Sequence, residues 1–279
     1  MEVNFTVFCE EHLDVAMELT SAEGWNLTES DLLFYAKGEH GTGIVALHDR
    51  TAVGIATAAL YEEKAWIGNV VVSPEHRGTG IGGRMVSAFV QKLFTSRRRT
   101  VALYAYDRSR PLYEKLGFTF DALLKEVTVS GSLPARRADV VAISHTFSDS
   151  VSEFDFRYFR SDRKELLSDV LSRGNYSMTV ASSVDGAEGY FIESEAAGYG
   201  TEVAPFIATE SSLLPLLAEL GGAKRPIHMY VNDEVLPLFR VHGIEVNIVR
   251  NIGRGFVGES SSMPLLSHEV LSSGFLDSG

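Results

Sequence analysis

The residues Arg77-Gly78-Thr79-Gly80-Ile81-Gly82 have the composition of an anion cradle. Glycines let a backbone approach a ligand closely, and the opening turn of a helix leaves N–H groups free to point at negative charge. A pyrophosphate suits such a site. The spacing is not that of a P-loop, which needs G-x-x-x-x-G-K-[ST], because no lysine follows. Nor is it a dinucleotide fingerprint, because Pro74-Glu75-His76-Arg77 separates the glycines from the strand before them. On the residues alone a second reading stays open, in which the glycines only satisfy a tight turn.

Pattern supplies the elements that position this cradle. Trp66–Val72 is a dense run of β-formers closed by Ser73-Pro74, since proline cannot donate to a ladder. Beyond the glycines, Ile81, Met85, Phe89 and Leu93 recur at helical spacing. The local order is strand, glycine-rich turn, helix. Upstream, Asn4–Cys9 reads as a strand and residues 10–19 as a helix, broken at Gly24-Trp25-Asn26. Thr28 or Ser30 caps a second helix that stops near Gly38. Residues 43–48 and 52–61 form an antiparallel pair joined at Asp49-Arg50-Thr51, and 65–72 is the third strand. Downstream, Thr100–Tyr104 is a short buried strand and Arg108–Leu116 a helix with Pro111 in its first turn and Gly117 at its end. Phe118–Val129 is the next strand, so residues 1–130 predict an α+β or mixed α/β domain.

Residues 131–150 hold a proline and small polar residues and read as a connection, with a brief strand over 140–143. Residues 151–279 repeat the first order in worn form. Val151–Leu171 begins with Phe154, Phe156 and Tyr158 and then becomes an amphipathic helix, followed by strands at 176–181, 189–193 and 202–207, a helix at 211–220, a strand at 227–231, a helix at 234–242 and a last strand at 244–249. Leu236–Ile244 parallels Pro111–Phe118, and an internal duplication is the economical reading. The second copy lacks the cradle, because Ala208-Thr209-Glu210-Ser211 has neither glycine nor arginine and Glu210 repels a phosphate.

At 279 residues the chain is long enough for two domains, and a formal charge of −12 argues against non-specific binding to nucleic acid or an anionic membrane. Arg97-Arg98-Arg99 reads as the solvated end of a helix. A single cysteine, Cys9, excludes an internal disulfide framework and reads as a small buried hydrophobe. Histidines at 12, 40, 48, 76, 145, 228, 242 and 268 show no ligand-like clustering, so no metal is expected. No apolar run reaches membrane-helix length, and MEVNFTVF lacks the regions of a signal peptide, so a cytoplasmic protein is expected.

The stretch Val72-x-Pro74-Glu75-x-Arg77-Gly78-x-Gly80-Ile81-Gly82 resembles the acetyl-CoA signature of the GCN5-related N-acetyltransferases (GNAT), and Leu112-Tyr113-Glu114-Lys115-Leu116-Gly117-Phe118 resembles that family's second landmark. The chain is similar to a two-domain prokaryotic subgroup through Gly24-Trp25-Asn26, Ala65-Trp66-Ile67-Gly68, Arg110-Pro111-Leu112-Tyr113, Glu188-Gly189-Tyr190 and residues 203–208. The resemblance implies tandem acyl-CoA N-acyltransferase folds, each a twisted, mixed, mostly antiparallel sheet flanked by helices. The catalytic domain is then 1–130, and 151–279 is a degenerate copy that shapes the acceptor pocket or a dimer surface, which allows a homodimer.

The resemblance also implies direct acetyl transfer from acetyl-CoA to the amine of a small metabolite in a ternary complex. Backbone N–H groups of Arg77, Gly78, Thr79, Gly80, Ile81 and Gly82 hold the pyrophosphate, and the Val70-Val71-Val72 backbone pairs with the pantetheine arm and polarises the thioester. Tyr113 is the implied general acid at the leaving sulfur. Where many members carry a cofactor-contacting asparagine this chain has Tyr106, and where the subgroup has an acidic residue it has Tyr104. The acceptor amine must lose a proton, and Glu62, Glu63 and Asp107 are the candidate bases. Trp25 and Asn26 are candidates to line the acceptor pocket. A longer acyl chain, or acyl-CoA binding without turnover in a sensor or scaffold, are the alternatives.

Overall fold

Proline, glycine and capping residues set most element boundaries in the computed structural model, which describes residues 2–25, 27–129, 131–134, 141–196, 200–223, 226–264 and 266–272. The chain begins β1 (Asn4–Val7), α1 (Leu13–Ala22), α2 (Glu29–Lys37), β2 (Gly41–His48), β3 (Thr51–Leu60) and β4 (Lys64–Val72). It continues α3 (Ile81–Thr95), β5 (Thr100–Tyr106), α4 (Arg110–Lys115) and β6 (Thr119–Val129). Next come β7 (Ala142–Ser144), α5 (Asp149–Phe159), α6 (Lys164–Ser172), β8 (Tyr176–Ser183), β9 (Gly186–Ala196) and β10 (Gly200–Ala208). The last elements are α7 (Glu210–Glu219), β11 (Ile227–Val231), α8 (Val235–Val241), β12 (Val246–Gly258) and β13 (Val270–Ser272).

Two compact units result. The first holds the residues up to Asp121 together with Gly253–Ser262, and the second holds Ala122–Ile252 together with the residues from Met263. The expected boundaries at 130 and 151 therefore differ from those of the units. Residues 122–129 of β6 go with the second unit, and the last part of β12 goes with the first, because its hydrogen-bonding neighbour is β5.

The first unit orders its strands β1-β2-β3-β4-β5, with the end of β12 beside β5. The pairs are antiparallel except β4–β5, which is parallel. Asp49 and Arg50, both at positive φ, make the two-residue hairpin between β2 and β3. Thr28 caps α2 and its side chain accepts from Asp31 N at 3.2 Å, as expected. One face of the sheet (Ile44, Ala56, Ala58, Ile67, Leu103) packs on the stripe Ile81, Met85, Phe89 and Leu93 of α3. The alternate set on β3 and β4, including Thr57, Ala59 and Trp66, faces the other way, where α1 and α2 cover the sheet. The β12 segment runs antiparallel to β5: Glu259 N donates to Arg99 O at 3.2 Å, and Gly253 lies toward Ala105. Arg254 clamps Asp121 through two bonds of 2.9 and 2.7 Å.

The second unit orders its strands β6-β11-β10-β9-β8-β7, with β13 on β10, and again only the β10–β11 pair is parallel. Its core joins Val203, Phe206, Met229 and Val231 to Leu213, Leu216 and Leu217 of α7 and Phe239 of α8. The segment 151–171 is helical from its start, in two pieces, α5 and α6. Arg160 turns left-handed at φ 51, and Arg163 folds back onto Asp155 with bonds of 3.0 and 2.6 Å that are almost wholly buried. The strand expected to end at Val249 continues to Gly258, and β13 is an element that periodicity did not reveal.

Candidate active site

Beta-strands four and five lie side by side only at their beginnings. The register pairs Lys64 with Thr100, Ala65 with Val101, Trp66 with Ala102 and Ile67 with Leu103, while β4 continues to Val72 and β5 to Tyr106. The cause of the parting sits on the other side of β4. Gly68 pairs with Thr57 and Val71 with Ile55, so Asn69 and Val70 stand opposite a single residue of β3, and Asn69 has φ 50. This is a β-bulge, which bends and twists its strand. Asparagine is among the few non-glycine residues that accept such a backbone. The peptide groups of Val70-Val71-Val72 are thereby released from β5.

The end of β4 runs directly into the glycine-rich loop. Pro74–His76 form a 3-10 turn, and the Arg77 N–H closes onto Pro74 O at 3.3 Å, so that N–H is already used. Gly78 and Gly80 have φ of +76 and +82, and a Cβ at either would meet nothing within 4 Å. They are glycines for backbone conformation, in open space. The first bond of the α3 ladder runs from Arg84 N to Gly80 O at 3.1 Å, which leaves the N–H groups of Gly80, Ile81, Gly82 and Gly83 at the helix front for an outside acceptor. The first turn of α3 has no acidic residue, whereas α7 opens with Glu210. Of these two helices, α3 presents the uncontested positive end to an anion.

Arg77 acts on the protein rather than reaching freely into solvent. Its Nε donates to Val72 O at 2.8 Å and its terminal nitrogen pairs with Glu23, a residue the sequence did not single out. Thr79 Oγ1 donates to His76 O at 2.7 Å, and the His76 ring meets Ser73 Oγ at 2.8 Å and His48 Nδ1 at 3.3 Å. The loop is therefore held by side chains as well as by the turn bond of Arg77.

Tyr113 lies in α4, buried, with its ring 5.8 Å from Phe118 in an edge-on contact. Burial alone pushes its phenol up to about 12. Tyr106 closes β5 and is half-buried, with the Arg108 guanidinium 5.9 Å over its ring. Asp107 follows it, exposed, at the end where β4 and β5 part. Glu62 and Glu63 lie at the opposite end of β4. At about 3.3 Å per strand residue they are some 20 Å from Val70. Glu63 instead pairs with Arg99 at 3.2 Å. The structure thus does not bring these two candidate bases to the rest of the site. Trp25 is half-buried just after α1, its N–H on Thr20 O at 3.0 Å, and Asn26 lies outside the described residues.

Two polar groups on β4 were not anticipated. Asn69 Nδ2 donates to Thr57 Oγ1 at 2.8 Å, while its Oδ1 is buried without a hydrogen-bond partner, as is Trp66 Nε1. An asparagine inside a β-former run was the available signal. Cys9 is a further correction. It is only partly buried, and its Sγ meets His12 Nδ1 at 3.2 Å and Glu11 Oε1 at 3.4 Å, so it is a polar group at a helix entry rather than a core hydrophobe. Cys9, Glu11 and His12 bring their ligand-type atoms within 4.8 Å of one another, a clustering the histidine spacing did not suggest. Partial burial, then Glu11, holds the thiol protonated, which disfavours a thiolate ligand. Among the described residues no helix is long and apolar enough to cross a membrane.

Comparison with known proteins agrees with this geometry. Residues 8–118 match the acetyltransferase (GNAT) family. No curated protein sequence matches the chain. Among solved structures, a candidate acetyltransferase from Pyrococcus horikoshii is 17% identical, with a TM-score of 0.75, over 96% of this chain and 95% of its own. The tandem GNAT protein of the clavulanic acid biosynthesis pathway, solved without acetyl-CoA, is 15% identical with a TM-score of 0.66, over 95% of this chain and 100% of its own. A GCN5-related N-acetyltransferase from Anabaena variabilis is 13% identical with a TM-score of 0.64, over 91% and 72%. At these identities the likeness is one of fold.

Proposed function

We propose that this chain, with a GNAT domain over residues 8–118, is an acetyl-CoA-dependent N-acetyltransferase acting on the primary amine of a small metabolite. The observation that carries the reading is the parting of β4 from β5 beside the uncapped front of α3. The thioester supplies an acyl carbon activated toward an amine. The N–H groups of Gly78 through Gly82 hold the diphosphate, with Gly83 beside them; the Arg77 N–H, bonded to Pro74, contributes through turn geometry. The released Val70-Val71-Val72 backbone pairs with the pantetheine arm and offers an N–H to the thioester oxygen, a stabilisation of the kind removed at a cost of about 3 kcal/mol elsewhere.

The amine nitrogen bonds to the acyl carbon, the carbon–sulfur bond breaks, and the amine proton leaves through Asp107 or water. Tyr113 is neutral at physiological pH because its pKa is about 12. That lies above an ordinary thiol at about 8.5, so Tyr113 assists by hydrogen-bonding the departing sulfur, and complete transfer to a free thiolate is uphill. The second unit repeats the first unit's strand order, with Thr209-Glu210 in place of the glycine loop, so one coenzyme is bound per chain, as a tandem, degenerate copy implies.

The remoteness of Glu62 and Glu63 favours a second reading, binding of acyl-CoA without turnover. Thiol release from acetyl-CoA on adding a panel of primary amines separates the two. Tight acetyl-CoA binding with no release above the hydrolytic background decides for a sensor, and faster release from longer acyl thioesters decides for a different acyltransferase.

A further inference from the structure

Thr57, Trp66 and Asn69 form a polar island on one face of β3 and β4. Thr57 is fully buried on β3, and its hydroxyl donates to Gly68 O at 3.3 Å. Its one hydrogen being used there, the oxygen must accept from Asn69 Nδ2, which fixes the orientation of the amide. Asn69 Oδ1 is then the group left over, in a side chain 4% exposed. Trp66 is 3% exposed, with its ring 5.0 Å from Tyr104, and its Nε1–H is also unpaired.

The register places these two groups together. Thr57 pairs with Gly68 and Ala59 with Trp66, so the Asn69 amide, bonded to Thr57, lies on the same face of β3–β4 as the indole, with the two residues about 10 Å apart along β4. Between them lie Gly68 and Ile67, the latter being the last residue of β4 that pairs with β5. One orphan is an acceptor and the other a donor. A buried group of either kind left unpaired is destabilising, and native structures keep few of them without a purpose.

Resting on the acyltransfer reading, the geometry points to the acceptor's chemical class: an amine that carries a neutral oxygen two or three bonds from its nitrogen, such as an amino alcohol. Asn69 Oδ1 receives an N–H of the amine, and Trp66 Nε1–H donates to the oxygen. A hydroxyl fits better than a carboxylate, because an uncharged indole N–H does not offset the burial of a full negative charge. Residues recognising a substrate hydroxyl reject the analogue that lacks it, because their own polar groups are then left unpaired.

The test compares ethanolamine with n-propylamine, which has the same number of heavy atoms, by thiol release from acetyl-CoA. The wild-type protein is expected to favour ethanolamine at least about tenfold in kcat/KM. Trp66→Phe is expected to bring the ratio below about threefold. Equal rates in the wild type, or a Trp66→Phe variant with lower rates and an unchanged ratio, overturn the assignment and leave acyl transfer standing. Tryptophan emission gives a readout without turnover: ethanolamine, and not propylamine, is expected to shift it to the red, by a component missing in Trp66→Phe. If that shift occurs without thiol release, the amine site stands and the acyltransfer reading falls. If neither shift nor preference is seen, the amine site is wrong, and the wild-type measurements decide this even where the variant does not fold.

Discussion

Arg77 Nε donates to the carbonyl of Val72 at 2.8 Å, tying the first residue of the glycine loop to the last residue of β4. The same guanidinium pairs with Glu23, so its charge is anchored beside the glycine loop. Lysine has no planar fork to hold both partners. Arg77→Lys is expected to weaken acetyl-CoA binding by about three- to tenfold with a small change in kcat, the size expected from losing one bond to a carbonyl. Calorimetry against acetyl-CoA checks this, and a Kd equal to wild type removes the positioning role.

Gly78 and Gly80 separate conformation from space, since both sit at positive φ with room around them. Gly80→Ala is expected to lose about 1–2 kcal/mol through the left-handed backbone and to bind acetyl-CoA at least tenfold less tightly. Gly80→Asn, which tolerates that region, is expected to recover most of the loss. Equal weakening by both variants would point to a steric rather than a conformational requirement.

Tyr113→Phe removes a buried hydroxyl whose proton is held to about pH 12. Loss of a hydrogen bond to the leaving sulfur is expected to lower kcat about ten- to hundredfold. The same substitution has a signature in stability. The folded-state pKa is raised above the ordinary 10.0, so between pH 10 and about 12 the folded state binds more protons than the unfolded one. Stability from this group is complete below pH 10 and falls as pH rises, by about 2–3 kcal/mol across the window. Urea midpoints for wild type minus Tyr113→Phe should show that slope, and parallel curves would contradict the burial of the phenol.

Glu62 and Glu63 stand at the end of β4 away from the bulge. The double substitution Glu62→Gln, Glu63→Gln is therefore expected to leave kcat/KM within about twofold, the usual reach of exposed surface charges. A thiol-release assay reads this directly. A loss of a hundredfold would place the transfer at the wrong end of the strand.

Asp155 and Arg163 are 1% and 3% exposed and bonded to each other, and Tyr190 joins them. Asp155→Ala leaves a buried guanidinium without its carboxylate and is expected to destabilise the second unit by about 3–5 kcal/mol. Denaturant unfolding followed by circular dichroism measures it, and a change below 1 kcal/mol would mean that water reaches the arginine.

What the chain discloses in advance depends on how local the determinant is. The stripe Ile81, Met85, Phe89, Leu93 and the capping threonine of α2 are set by neighbours within a turn or two, and both fall where periodicity and capping rules put them. The break at Arg160 accompanies a buried charge pair between Arg163 and Asp155 that only the folded chain assembles, and no local pattern announces it. The same holds for the active region. The glycine loop announces itself, yet which end of β4 matters is decided by a bulge at Asn69, and that bulge is a property of two strands together. Glu62 and Glu63, candidate bases by sequence, lie at the end of β4 away from that bulge.

The final residues of β12 close the flank of β5 in the first unit, although they lie more than a hundred positions downstream of it. A gene fragment ending near residue 130 would leave that ribbon with naked amide and carbonyl groups along its border, an invitation to self-association. Supplying residues 246–262 as a separate peptide should cure the defect. It follows that this polypeptide does not come apart as two cassettes: a version cut before the tail loses one wall of its first unit.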